Sequence, residues 1–210
     1  MANPDTPMGL RPVRHKSGAP YNGAANPYYL ASTYATAMYV GDPVIRVVGG
    51  SNAASVTVPG AGEFAIGTVP SVEKATAGDT NRITGVIVGF SADPSALDKQ
   101  YNPASTERIA WVCDDPDIVF EVQADGAIPA ASVGLNAVLI YTHSGSTATG
   151  LSGVELDTTS DAPAADASNQ LVILRAVNRV DNDTTITHAN VEVMINQHTE
   201  NQGTVGSLGI

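Results

Sequence analysis

The sequence is poor in cysteine, in charged residues and in long apolar runs, and each shortage excludes a class of protein. Cys113 is the only cysteine among 210 residues, so the chain cannot form an internal disulfide or hold zinc with a cysteine pair. Charged residues make up 15%, against about 25% in typical globular proteins. No run approaches the ~18 apolar residues of a membrane-spanning helix, and the N-terminus lacks the apolar stretch of a secretory signal. We expect no disulfide scaffold and no membrane contact, and we expect synthesis in the cytoplasm of a cell.

Basic residues are also scarce. Ten Lys and Arg stand against 21 Asp and Glu, which gives a formal net charge of −11. A chain of this charge is repelled by phosphate backbones, so nucleic acid is not an expected partner. The length suits one domain with an added segment better than two domains, because all-β domains often reach about 200–250 residues.

The residues that are abundant favour strands and turns. The 20 Gly and 13 Pro argue against helical bundles, and from residue 41 onward short runs rich in Val, Ile and Thr alternate with turn residues. The pattern predicts an all-β fold, a compact β-barrel or β-sandwich of about ten short strands, formed by a body of residues 41–210. The predicted strands are 43–48, 54–58, 64–69, 82–90, 108–113, 118–123, 136–141, 154–157, 171–177 and 190–196.

Residues 1–40 differ from the body and are predicted to form an extended N-terminal arm. They carry three basic residues and one acidic residue, a balance of +2, so the other 170 residues carry −13. Five prolines prevent a long helix there, and five of the seven tyrosines provide large contact area with a polar tip. We expect the arm to bind a partner or another copy of the chain, with packing on its own domain as the alternative. The predicted contact residues are Arg11, Arg14, Lys16, Tyr21, Tyr28, Tyr29, Tyr34 and Tyr39.

Each candidate catalytic or metal-binding motif is better explained as a turn or as a buried structural residue. The acidic run 114–117 surrounds Pro116 between two apolar runs and predicts a hairpin-type turn, and the run 181–183 lacks the rest of a calcium loop. The four histidines show no metal-binding spacing, and Cys113 and Ser152 lie in no nucleophile motif. No phosphate-binding glycine motif occurs. We therefore expect no enzyme, no cofactor and no metal.

Several segments together resemble a known family. They are GLRPVRHKSGAPYNGAANPYYLAS, VGDPVIRV, TGVIVGF, WVCDDPDIVFEVQAD, TGLSGVELD, LVILRAVNRVDN and VEVMINQH, and they extend over most of the chain. This pattern resembles the capsid decoration proteins, also called cement or head-stabilising proteins, of tailed bacteriophages. The resemblance implies a non-enzymatic virion protein on the outer surface of the capsid that binds the major capsid protein and stabilises contacts between its subunits. It also implies self-association, with a homotrimer as the expected form, since many members of the family are trimers while others are dimers or monomers.

Two other classes remain as alternatives. A virion-surface adhesin or carbohydrate-binding β module would use Ser, Thr and Asn loops to contact sugars, but few aromatic residues lie outside the arm to form a sugar platform. A trimeric β-barrel nucleotide hydrolase would need a phosphate-binding loop that the sequence lacks.

Overall fold

Strands follow one another from Arg11 to Ile195 in the computed structural model, which describes residues 3–58, 62–94 and 96–200. The all-β prediction is confirmed, since the described residues contain no α-helix and only one short 3₁₀ helix, Ala130–Ser132. No helix in these ranges is long and apolar enough to cross a bilayer. The strands are β1 Arg11–His15, β2 Asn26–Leu30, β3 Pro43–Ser51, β4 Val56–Val58, β5 Gly62–Phe64, β6 Pro70–Lys74, β7 Gly85–Phe90, β8 Arg108–Cys113, β9 Ile118–Gln123, β10 Asn136–Ala137, β11 Leu139–Ile140, β12 Glu155–Leu156, β13 Leu171–Ala176 and β14 Asn190–Ile195.

Five strands close into a barrel in the order β2-β6-β3-β7-β8. Closure removes free sheet edges, and successive side chains alternate between the interior and the exterior. Tyr28 therefore packs in one core cluster, while its neighbour Tyr29 packs in another. The first cluster contains Tyr28, Leu30, Met38, Val44, Val72, Ile87, Ala110 and Val112.

A second, five-stranded sheet has the order β1-β9-β14-β13-β10, and all its pairings are antiparallel. The largest core cluster joins this sheet to the barrel ends and to the β11–β12 pair, with Phe120 among its fully buried residues. Charged side chains of the sheet form ion pairs, where Glu192 binds both Arg14 and Arg175 and Glu121 binds Arg179. The structure is thus a barrel and a sheet that are joined by the largest of three core clusters.

The β4–β5 hairpin lies against the barrel. It belongs to the cluster of Tyr29, Val58, Val69 and Ile109, against which Val56 and Phe64 pack. Between β3 and β6 the register shifts, because Arg46 pairs with Val72 while Ser51 pairs with Pro70. Residues 47–50 therefore bulge out of the barrel wall.

The prediction of a separate N-terminal arm is wrong, because residues 1–40 supply two strands and part of the core. β1 pairs with β9, and β2 pairs with β8 and β6 inside the closed barrel. The sequence signals missed these strands because RPVRH and NPYYL contain a single β-branched residue, Val13. Hydrogen bonds to neighbouring strands stabilise these two segments as strands although their local strand propensity is low.

The other strand predictions agree with the structure to different degrees. The predicted strands 108–113 and 118–123 coincide with β8 and β9, whereas most of 64–69 is loop and β6 follows it. Residues 114–117 form a turn as predicted, but this turn connects the barrel to the second sheet, so it is not a hairpin. Residues 181–183 also lie in a loop between β13 and β14.

Candidate functional site

Three of the predicted contact tyrosines are buried in the protein's own core, which corrects their assignment as partner contacts. The Tyr28 hydroxyl donates to Asp114 at 2.8 Å, and the Tyr29 hydroxyl donates to Glu107 at 2.7 Å. The Tyr39 ring stacks on Tyr101 with centroids 5.3 Å apart. Burial raises the pKa of Tyr29 to about 12, since the anion is unfavourable in this environment. All three rings therefore contribute to the protein's own packing, Tyr28 and Tyr29 in core clusters of the barrel and Tyr39 against Tyr101.

The two remaining tyrosines of this segment are half-buried and bonded to the chain itself. The Tyr34 hydroxyl accepts a hydrogen bond from the backbone N–H of Lys74, and the Tyr21 hydroxyl donates to the backbone oxygen of Ala24. Each polar tip therefore already has an internal partner.

The predicted basic residues divide into two groups. Arg14 donates to Glu192 at 2.7 Å and 3.2 Å from two of its nitrogens, so its charge is used within the fold. Arg11 and Lys16 lie at the two ends of β1 with exposed side chains, and neither makes an ion pair with another described residue. Only these two of the eight predicted residues present a free charged group to the solvent.

A surface that the sequence patterns did not indicate lies on residues 47–58 and 62–69. We call residues 47–69 the uncharged segment. Glu63 is its only charged residue among 23 positions. Val48 is 100% exposed and Ile66 is 67% exposed, so two large apolar side chains face the solvent on this segment. The scarcity of charge in this segment is visible in the sequence. The exposure of Val48 and Ile66 follows instead from the bulge at residues 47–50 and from the loop before β6.

Asn52 holds the two ends of the uncharged segment together. Its side-chain amide donates to the backbone oxygens of Ala54 and Ala65, and its side-chain oxygen accepts from the N–H of Val69 at 3.0 Å. Asn52 is fully buried, so these bonds lie away from competing water. Ile66 is therefore presented by a loop that Asn52 fixes, whereas Val48 lies in the bulged part of β3.

An apolar groove of about 400 Å³ lies where β1 and the barrel meet. Met8, Leu10, Tyr21, Ile87 and Leu151 contribute to its wall, and Arg11 is its one charged lining residue. Its one other reactive group is the Tyr21 hydroxyl, which donates to the backbone oxygen of Ala24 and has a pKa that burial raises to about 12, so the groove does not have the composition of an active site.

The candidate nucleophiles are held in unreactive environments. The Ser152 hydroxyl donates to Asp42 at 2.6 Å in a buried position. Burial raises the pKa of Cys113 to about 11, which disfavours the thiolate.

The structure also brings together residues that are far apart in the sequence. Asp5, His143 and Glu155 each place one potential metal-ligand atom within 4.8 Å of the others. His143 Nδ1 lies 2.9 Å from Glu155 Oε2, and His143 Nε2 lies 3.7 Å from Asp5 Oδ2. His188 Nδ1 lies 3.7 Å from the other Asp5 oxygen. Sequence spacing could not reveal this cluster, because Asp5 and His143 are separated by more than half of the chain.

The pairing of β11 with β12 brings His143 next to Glu155. Ile140 pairs with Glu155 in the β11–β12 ladder, and His143 follows three residues after Ile140. A Cβ on Gly153 would lie 2.6 Å from the backbone oxygen of His143, so only glycine allows this close approach.

Comparison with protein-family models, with curated proteins and with solved structures found no match to this chain.

Proposed function

We propose that this chain is a viral structural protein, a decoration protein that binds the outer surface of a tailed-phage capsid and stabilises contacts between major capsid subunits. The family resemblance of its segments supports this proposal, as does the all-β fold. The low content of charged residues also supports it, because long charged side chains are depleted at the centres of protein interfaces.

The exposure of Val48 and Ile66 on the uncharged segment is the observation that carries the proposed contact surface. Exposed apolar side chains whose backbone is already held in a strand or a bonded loop lose little conformational freedom on binding, and burying each one fully is worth about 1.5–3 kcal/mol. The absence of charge apart from Glu63 means that few ionic groups must be desolvated. We place the capsid contact here, in place of the tyrosines of residues 1–40.

Arg11 and Lys16 form a second, electrostatic part of the proposed contact. Their side chains are exposed at opposite ends of β1, and an acidic surface on the shell would attract them. The attraction between exposed charges is largely screened beyond about 8–10 Å at physiological ionic strength. Its contribution to binding therefore falls as salt is added.

Binding to capsids stripped of this protein tests the proposal. We expect Val48→Ser combined with Ile66→Ser to weaken binding at least tenfold at every salt concentration. Val180→Ser is the matched control, because Val180 is fully exposed but lies on the loop after β13. Arg11→Ser with Lys16→Ser should weaken binding at low salt more than at high salt.

Two results would contradict the proposal. Absence of the chain from purified virions, shown by blotting, would remove the capsid assignment. Equal binding by the double serine variant and the Val180→Ser control would remove the uncharged segment as the contact surface.

The carbohydrate-binding alternative finds no support in the exposed residues. Sugar platforms use exposed aromatic rings, and all 11 aromatic residues, seven Tyr, three Phe and one Trp, are buried or half-buried. A glycan array with specific binding would nevertheless favour that function over the one proposed.

Self-association as a homotrimer is part of the proposal. Symmetric copies can cover a surface that is rich in Ala, Ser, Thr and Gly without burying many charges. Light scattering should give a mass near three times the 21.5 kDa of one chain. A monomer both free and on the capsid would contradict this part of the proposal.

A further inference from the structure

The cluster of Asp5, His143 and Glu155 has the donor set of a metal site. We propose that these three residues bind one divalent transition-metal ion of the zinc class. This inference does not depend on the proposed capsid function, because it rests on the geometry of side chains at the junction of the N-terminal segment and the β11–β12 pair.

The buried Glu155 carboxylate has one oxygen without a hydrogen-bond partner among the described residues. Its side chain is 1% exposed. Oε2 accepts from the Thr142 hydroxyl at 2.6 Å and faces His143 Nδ1, whereas Oε1 is buried and has no hydrogen-bond partner among the described residues. A buried carboxylate oxygen without a partner is costly, and a coordinated cation would satisfy it.

His143 lies between the two carboxylates. Its Nδ1 lies 2.9 Å from Glu155 Oε2, close to the roughly 3.3 Å that separates two ligands with bonds of about 2.0–2.1 Å to one tetrahedral ion. The Nδ1 lone pair and this carboxylate can therefore bind the same ion in the tautomer that carries its proton on Nε2. Nε2 faces Asp5 Oδ2 at 3.7 Å, and the ligand atoms of the three residues lie within 4.8 Å of one another, so an inward movement of the exposed Asp5 side chain brings it onto that ion.

Hydrogen bonds to its neighbours place Asp5 before any ion binds. The Asn3 side chain donates to the backbone oxygens of Asp183 and Thr187, and the backbone N–H of Thr6 donates to Gln123 at 3.0 Å. His188 Nδ1, which has no hydrogen-bond partner among the described residues, lies 3.7 Å from Asp5 Oδ1. The site is therefore supported on both sides of the Asp5 carboxylate.

The ligand types select the metal. One imidazole with two carboxylates suits Zn²⁺ and its first-row neighbours, whereas Mg²⁺ and Ca²⁺ prefer sites made entirely of oxygen ligands. Asp5 is 47% exposed on its side chain, so water can complete the coordination sphere. The bound ion would connect the first described residues to β12, about 150 positions later in the chain.

Titration of the full-length, tag-free protein with Zn²⁺ alone tests the inference. Calorimetry should show one ion per chain, and Co²⁺ should give the visible absorption of a protein-bound ion. We expect Asp5→Asn and His143→Gln each to weaken Zn²⁺ binding at least tenfold. Mg²⁺ and Ca²⁺ should not compete at the same concentrations.

His15→Gln is the matched control for His143→Gln. His15 also lies beside a carboxylate, with its Nδ1 3.4 Å from Asp115, but it belongs to a different surface. This control should bind Zn²⁺ as the natural chain does, and circular dichroism should confirm that each variant is folded.

Three results would overturn the inference: no Zn²⁺ binding by the natural chain, unchanged binding in both Asp5→Asn and His143→Gln, or equal weakening in His15→Gln. Glu155→Gln is a further variant, and its buried position makes misfolding a concern. The test remains decisive without it, because the Asp5 and His143 side chains are each more than 40% exposed. Capsid binding is not measured, so failure here leaves the proposed function unaffected.

Discussion

Lys74 Nζ lies 2.9 Å from Asp42 Oδ1, and this ion pair joins β6 to the turn that opens β3. Asp42 is 0% exposed. Its other contacts are the backbone N–H of Tyr39 and the hydroxyl of Ser152, so three segments of the chain meet at one carboxylate. The ammonium group of Lys74 also lies 4.6 Å from the centre of the Tyr141 ring.

Removing the cation of this pair should strongly destabilise the protein. Lys74→Met leaves the Asp42 carboxylate buried without its counter-charge, and breaking such a pair typically lowers the free energy of unfolding by about 3–5 kcal/mol. Urea denaturation measures the change. Lys99→Met, at an exposed position, should have little effect, and a Lys74→Met variant as stable as this control would contradict the prediction.

The pair should also show coupling. Asp42→Asn combined with Lys74→Met removes both charges, so the double variant should lose less stability than the sum of the two single variants. Additive losses would mean that the ion pair itself contributes little.

Deleting residues 1–40 should prevent folding. The deletion removes β2 from a closed barrel and takes away the buried side chains of Leu10, Leu30 and Met38. Near-ultraviolet circular dichroism should lose its tertiary signal, and protease resistance should disappear. A truncated chain with cooperative thermal unfolding would contradict this expectation.

A single substitution tests the same region more gently. Tyr28→Ala removes a ring from the barrel core together with its hydrogen bond to Asp114, and we expect a loss of about 3–5 kcal/mol. Arg11→Ser, also within residues 1–40 but exposed, should change stability by less than about 0.5 kcal/mol.

Cys113 should resist thiol reagents while the protein is folded. Burial raises its pKa to about 11, so at pH 8 only about one thiol in a thousand is ionised, and the side chain is shielded from solvent. A colorimetric disulfide reagent should react slowly in buffer and completely in denaturant. Fast stoichiometric reaction with the folded chain would contradict the burial of this thiol.

Acid should lower the free energy of unfolding because His198 gains a proton more readily in the unfolded chain than in the folded one. Burial lowers the pKa of this imidazole below its ordinary value, although the charges of Glu200 and Asp114 oppose the shift. The unfolded chain therefore binds a proton at a higher pH than the folded chain, and stability is complete above about pH 6.5 and falls as the pH drops towards the folded pKa. The slope cannot exceed about 1.4 kcal/mol per pH unit for one proton.

His198→Asn tests this assignment, because its amide oxygen can replace Nδ1, which accepts a hydrogen bond from the N–H of Glu200 at 3.0 Å. The variant should lose most of the dependence of melting temperature on pH just below about pH 6.5, the ordinary pKa of histidine. His15→Asn should retain that dependence. Identical profiles for the two variants would assign the effect to other groups.

The amino-acid sequence by itself determined the fold class. Short runs such as RIAWVC and IVFEVQ are apolar, β-branched and bounded by turn residues, so they form strands wherever they find neighbours, and β8 and β9 lie where the pattern predicted them. The burial of Cys113 follows from the same local pattern. The pattern of apolar and polar residues along the chain is sufficient to predict features, such as these strands, that depend on adjacent residues.

Tertiary structure alone decided the role of residues 1–40 and the composition of the clusters. RPVRH and NPYYL become strands because β9 and β8 offer them hydrogen-bonding edges, a condition that composition cannot express. Asp5 meets His143, and Asp42 meets Lys74, through pairings between strands and loops distant in sequence. Such contacts depend on which strands pair and in which register, and this is set by the packing of the whole core.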